Sequence, residues 1–278
     1  MIWILIAIIM CAAFGNIMRY AQQRGLNMAW IGALNYVAAA TASWLFWIAK
    51  GAQPLTWYAV CFGTITGISF IAAYFLMVPC IRTAGVGITQ AVQQLSVVLP
   101  ILASIFIWGE KPGLVCTIGL VLILVAFPLL ARGKAVPQSV TGGNFRVILV
   151  LFITEGIAGL LMKAYSQNMP NQEAAYLCFV FSAAATGSLL AAIRMAQPGG
   201  MDAVYGVSLG LANFFACVTC LYALGQLPGF IVFPSISIGA ILLASAAAVV
   251  LWGERYRGKA LWGMAIAVIA LILINSIH

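Results

Sequence analysis

Acidic residues are nearly missing from this chain: five Asp and Glu in 278 positions, with a single histidine, His278, at the last one. So small a supply of carboxylate and imidazole builds neither a metal-ligand cluster nor a histidine-assisted nucleophile, and metalloenzyme and hydrolase chemistry are set aside. Charge of either sign is scarce too, 6% of residues where a soluble domain carries roughly 25%. A chain that is 64% hydrophobic with mean hydropathy +1.11 belongs in a membrane. Its net charge of +8 does not point to nucleic acid, because the basic residues fall in short loops and form no stripe. Seven cysteines, most of them in apolar runs, act as small hydrophobes, and no disulfide framework is expected. Cys217 and Cys220 spell C-x-x-C inside an apolar run with no histidine nearby. No P-loop or nucleotide fingerprint is present, so no cofactor is expected. The apolar start, Met1 to Phe14, has no basic n-region and reads as a retained first span.

Ten apolar runs are long enough to cross a bilayer, near 2–18, 28–49, 56–77, 85–108, 113–131, 146–167, 174–195, 202–224, 228–252 and 259–277. Their periodicity is not the alternation of a barrel, so the spacing predicts an all-α membrane protein of ten transmembrane helices. The longest connection, Arg132 to Phe145, carries Pro137, Gly142 and Gly143 and reads as an exposed linker.

That linker separates two copies of one unit. Under an offset of 144, Trp108-Gly109-Glu110-Lys111 falls on Trp252-Gly253-Glu254-Arg255, Gly119 on Gly263, Gly15 on Gly159, Met18 on Met162, Arg19 on Lys163 and Gln23 on Gln167. The organisation expected is a five-helix repeat over 1–131, a linker over 132–145 and a second five-helix repeat over 146–278. An odd number of spans per copy forces the copies into opposite orientations. Such inverted-topology repeats are a mark of secondary transporters, with a site near the midplane.

Glu155 is the acidic residue set deepest in an apolar run. It lies nine positions past Arg146, which at 1.5 Å per residue is roughly 13 Å into a slab about 30 Å thick. A carboxylate there costs about 2.5–3.5 kcal/mol and faces a cavity, a partner or a proton path. Glu110, Glu173, Asp202 and Glu254 fall at the ends of runs; for Glu110 and Glu254 the expectation is helix capping or local pairing.

The fourth run holds Gln90, Gln93 and Gln94, whose spacing puts them on one broad helix face. Three amides there need partners in the bundle or water in a cavity. The equivalent stretch of the second copy is Pro234-Ser235-Ile236-Ser237, where Ser235 and Ser237 are candidate ligands. Asn16, Asn35 and Asn213 are single amides in spans, read first as packing glue; Asn16 and Asn213 are kept as site candidates. Tyr36, Trp44, Tyr74 and Tyr222 lie deeper than the other aromatics and could wall a site for an organic cation, Tyr74 and Tyr222 being the ones carried forward. Trp3, Trp30, Trp57, Trp108, Trp252 and Trp262 read as interface anchors. Gly206-Val-Ser208-Leu-Gly210 matches the hydrolase G-x-S-x-G but sits in a span, where small residues let helices approach, as do Gly63 and Gly67.

Loop charge gives an orientation. One side holds Arg19, Arg24, Arg82, Arg132, Lys134, Arg146, Arg194, Arg255, Arg257 and Lys259; the other holds Lys50, Lys111 and Lys163, ten against three. The positive-inside rule then places both termini outside the cytoplasm of a bacterial inner membrane. A C-terminal reporter active only in the cytoplasm is expected to be silent, and bright signal from it would reverse the topology.

The pattern resembles the drug/metabolite transporter superfamily, in its EamA-like ten-span group, through the two Gly-Glu-basic turns, each followed by a span with Gly119 or Gly263. The resemblance covers nearly the whole chain. A local stretch, Glu155-Gly-Ile-Ala-Gly-Leu-Leu-Met-Lys163-Ala-Tyr-Ser166, is similar to the first helix of small multidrug resistance transporters. There a buried glutamate eight residues before a helix-end lysine binds protons and cationic substrates in turn. This chain departs from that pattern with Cys11 in the first copy, leaving one carboxylate where the small dimers have two. External termini depart from the ten-span group, which keeps both in the cytoplasm.

The resemblance implies a secondary transporter of a small organic solute, cationic or amphipathic, working by alternating access with proton coupling at Glu155. Low-dielectric surroundings favour a neutral carboxyl and an arriving cation favours the ionised one, which is the physical basis of such exchange. The alternatives are transport of neutral or zwitterionic metabolites such as amino acids or sugars, or a lipid flippase. The partners expected are the small-molecule substrate, protons and the bilayer, with no nucleic acid, in a monomer or homodimer.

Overall fold

The computed structural model describes residues 1–84, 86–131, 142–169, 171–194, 199–253 and 258–276. These residues are all-helical, with no strand among them. The helices are α1 (Ile2–Gln23), α2 (Met28–Ala49), α3 (Trp57–Ala84), α4 (Val86–Leu95), α5 (Val98–Phe106), α6 (Leu114–Ala131), α7 (Gly142–Asn168), α8 (Glu173–Ala192), α9 (Gly200–Gln226), α10 (Gly229–Trp252) and α11 (Lys259–Asn275). Among the described residues seven helices are long and apolar enough to cross a bilayer, and Val92–Phe106, Leu114–Ala126 and Leu261–Asn275 are shorter apolar stretches. Large apolar side chains point outward, among them Trp57 at 76% exposure and Trp262 at 70%. In water they would be a liability; against lipid they are the expected surface. The protein is an integral membrane protein.

The fourth run departs from expectation. Instead of one span over 85–108 it forms two short helices, α4 and α5, interrupted at Ser96 and Val97. Pro100 supplies the reason: it has no N–H to offer the Ser96 carbonyl, which instead accepts from Leu99 at 3.0 Å. The Ser96 hydroxyl donates to the Gln93 carbonyl at the same break. Pro79, by contrast, is carried inside α3, which runs past the expected end near residue 77 to Ala84. Helix α7 begins at Gly142, inside the stretch read as linker, while residues 132–141 lie outside the described residues.

The ends of the helices use the few charged groups available. Asn27 accepts from the backbone of Ala29 and Trp30 and caps α2. Asp202 accepts from Gly199 N–H at 2.8 Å and Asn27 N–H at 3.1 Å, tying the starts of α9 and α2. Glu110 reaches across 119 residues of sequence to accept from Gly229 N–H at 3.1 Å and Phe230 N–H at 3.3 Å, so it caps α10, as expected of a turn glutamate. Glu254 lies outside the described residues. Glu173 and Asp202 are 7% and 5% exposed, more buried than Glu155. Depth along an apolar run singles out Glu155 alone, because a cap can be enclosed at a helix end as readily as a side chain at its middle.

The chain folds into two compact units, residues 1–71 with 161–226, and 72–160 with 227–278. In the first unit α2 packs against α8 and α9, and α1 against α9. Gly210 carries no Cβ because Asn35 O would stand 2.3 Å from it, and Gly67 none because Val180 O would stand 2.2 Å away. G-x-S-x-G is therefore helix packing here, as the sequence suggested. In the second unit α6 lies along α11, and α10 contacts α5 and α11.

Candidate functional site

The site candidates of the second unit gather around the broken run. Gln93, in the last turn of α4, donates from Nε2 to Glu155 Oε1 of α7 at 3.0 Å. One residue on, Gln94 Oε1 accepts from the Ser237 hydroxyl of α10. Ser235, two residues away on α10, accepts from Asn275 Nδ2 of α11 at 2.9 Å. Three hydrogen bonds thus link four helices through side chains the sequence had singled out, with Asn275 the addition that sequence reasoning passed over. Its signal was available: an amide in an apolar run needs a partner.

Small residues make this reach possible. A Cβ on Gly156 would stand 2.2 Å from Leu99 Cδ1, and one on Gly159 would stand 3.0 Å from Pro100 Cγ. The two glycines after Glu155 let α7 lie against the start of α5, and that approach brings the carboxylate within reach of Gln93. Glu155 is half-buried and Ser235 and Ser237 are buried. The side chain of Gln90 lies outside the described residues. Tyr74 belongs to the same unit and is buried, its ring centroid 6.0 Å from that of Phe75 in an edge-on contact.

The first-unit candidates divide. Asn16 is half-buried on α1. Asn213 donates to Asn35 Oδ1 at 3.3 Å, which matches the packing reading of both amides. Tyr36 donates to Phe70 O at 3.2 Å and the Trp44 indole to Ser182 Oγ at 3.0 Å, so each joins helices within this unit. Tyr222 is not deep: it sits in the last turns of α9, its ring tilted against that of Trp3 with the centroids 4.9 Å apart. Lys163, counted above as a loop charge, is fully buried in α7, a residue with a long charged side chain that the run boundaries had placed at a helix end.

Comparison with known proteins agrees with this architecture. Residues 1–132 match the EamA-like transporter family. An uncharacterized protein of Haemophilus influenzae is 23% identical over 269 residues, covering 91% of this chain and 90% of that protein. A protein known from its crystal structure superposes with a TM-score of 0.81 over 99% of this chain and 96% of its own, at 17% identity. The fold is shared along the entire length, and the family to which the first half corresponds is one of membrane transporters.

Proposed function

We propose that this membrane protein, EamA-like in its first half, is a secondary transporter of a small organic solute, cationic or amphipathic, in which Glu155 exchanges a proton for substrate. The observation that carries the reading is the Gln93–Glu155 hydrogen bond at 3.0 Å, inside a polar network at a helix break. Among the described residues the carboxylate is held by one neutral amide, which leaves an acceptor oxygen for a proton or an ammonium. Gln94, Ser237 and Ser235 extend the polar surface, and Tyr74 supplies an aromatic face for a cation in the same unit.

Helix direction supports a two-copy organisation. Gly119, near the start of α6, packs against Ala270 and Ile274, near the end of α11, so these repeat-related helices run antiparallel. Helices α2 and α8, also related by the offset, pack together in the first unit. Opposite directions for offset-related helices, as in α6 and α11, are the arrangement an inverted pair of copies would have, and they support a reading of alternating access.

Single cysteines at Gln93 and Gln94, in a cysteine-free parent, test the polar surface. They are expected to react with small water-soluble thiol reagents and to be protected by a transported cation. Proteoliposomes with an imposed pH gradient supply the transport readout. Inert cysteines at both positions, with transport retained, would leave the amides as packing groups and remove them from the site.

A further inference from the structure

The first unit contains a cleft that the transport reading does not use. It is lined by Lys50, Gln53, Asn171, Glu173, Ala174 and Tyr222, with a volume of about 120 Å³. At roughly 30 Å³ per water, that is room for about four waters, or for a small polar head group. It lies where α2 and α9 stop and α8 starts, hence at a helix-end level of a membrane protein and beside Trp3, a residue suited to the bilayer boundary.

Its walls carry opposite charges held apart. Lys50 closes α2, and the chain then turns through Gly51, at φ 84°, with Gly51 N–H donating to Ile48 O and Ala52 N–H to Trp47 O, both at 3.0 Å. This is the paired-bond helix terminus that favours glycine, and it fixes where Lys50 and Gln53 stand. The Lys50 ammonium lies 5.6 Å from the Phe46 ring centroid and 5.7 Å from that of Tyr222, within cation–π range of both. Among the described residues it has no carboxylate partner. Glu173 faces the same cleft from the first turn of α8, 7% exposed. One of its oxygens accepts from Asn171 N–H at 3.2 Å, and among the described residues the other accepts no hydrogen bond. Gln53 Oε1 is buried with no hydrogen-bond partner among the described residues, which is costly unless something fills the place.

One cation with no carboxylate partner, one carboxylate oxygen without a bond and one buried carbonyl acceptor describe the complement of a zwitterion. We propose that this cleft binds a molecule carrying a primary ammonium and an anionic group a few atoms apart, the anion on Lys50 and the ammonium on Glu173 and Gln53. Two sources offer that chemistry: the head group of a phosphatidylethanolamine from the surrounding bilayer, and a free amino acid from the aqueous phase. A trimethylammonium head has no N–H to donate to Gln53 or Glu173, so phosphatidylcholine is excluded on the same grounds.

Thermal unfolding of the purified full chain in detergent tests this, with short-chain phosphatidylethanolamine, short-chain phosphatidylcholine, glycine, ethylamine and acetate as probes. At least one primary-ammonium zwitterion is expected to raise Tm in a saturable way, while phosphatidylcholine and the two single-charge probes do not. Stabilisation by phosphatidylethanolamine alone assigns a lipid site; stabilisation by glycine assigns a solute site. Lys50→Met keeps the stem and the exposed position and is expected to weaken binding at least tenfold. Glu173→Gln is expected to do the same; because Glu173 also holds the Asn171 turn, the Lys50 variant decides if that protein fails to fold. Glu155→Gln leaves this binding intact, so failure here and failure of the transport proposal are separable. No response to either zwitterion, an equal response to phosphatidylcholine, or unchanged binding in Lys50→Met overturns the proposal.

Discussion

Glu155→Gln is expected to fold normally and to lose proton-driven transport, the largest functional effect expected of any single substitution in the chain. The substitution keeps size and a hydrogen-bonding carbonyl, so Gln93 still has an acceptor where it now meets Oε1 at 3.0 Å. What disappears is the titratable charge. A charged hydrogen bond contributes about 1.5–3 kcal/mol, so affinity for a cationic substrate is expected to fall roughly 10- to 100-fold. Coupled accumulation in proteoliposomes is expected to fall to background, because no group remains to carry the proton back. Glu155→Asp retains a carboxyl moved by one methylene and is expected to keep part of the activity with a displaced pH profile. A site retained for function at the expense of stability is also expected to gain thermal stability when the acid is removed. Wild-type accumulation by Glu155→Gln in a sealed, pH-clamped assay would make the residue a structural partner of Gln93 and end the coupling proposal.

The largest structural effect is expected at Gly67. A Cβ there would lie 2.2 Å from the Val180 carbonyl oxygen and 2.9 Å from the Ala183 Cβ. The first obstacle is main chain within α8 and has no rotamer to change, so α3 must move off α8. That shift also pulls on the neighbouring hydrogen bond from Tyr176 to Thr66 Oγ1, 2.8 Å long between buried side chains. Overpacking alone costs about 1–3 kcal/mol, and losing a buried hydrogen bond adds about 1–3 kcal/mol. Gly67→Leu is therefore expected to lower Tm sharply or to prevent recovery of folded protein from the membrane. Gly15→Leu on α1 is the matched control, because nothing lies within 4 Å of its added Cβ. Equal Tm values for the two variants would mean that α3 and α8 do not pack as closely as described.

Much of the architecture was legible because lipid imposes it. Unsatisfied backbone is so costly in hydrocarbon that a long apolar run becomes a helix almost regardless of its residues, and the bilayer thickness fixes its length. For the same reason Glu155 and the glutamines stood out: polar groups at depth need partners, and the partners turned out to include one another. The offset of 144 sets Ser235 and Ser237 opposite the glutamine stretch in sequence, and in the structure Ser237 donates to Gln94.

Other features were decided by tertiary structure. Pro100 was visible in the sequence, yet Pro79 and Pro234 were equally visible and sit inside unbroken helices. Whether a missing N–H ends a helix depends on what else can take the orphaned carbonyl, and at Ser96 that is Leu99. The burial of Lys163, Glu173 and Asp202 was hidden too, because hydropathy places a charge along a helix and says nothing about which neighbour covers it. Glu110 meets Gly229 and Phe230 across 119 and 120 residues of sequence, a pairing that no local pattern encodes. Hydropathy alone sets which runs become apolar helices and which polar residues in them have to find partners. Only packing chose the partners, because a hydrogen bond is decided at 3 Å while periodicity resolves no more than the face of a helix.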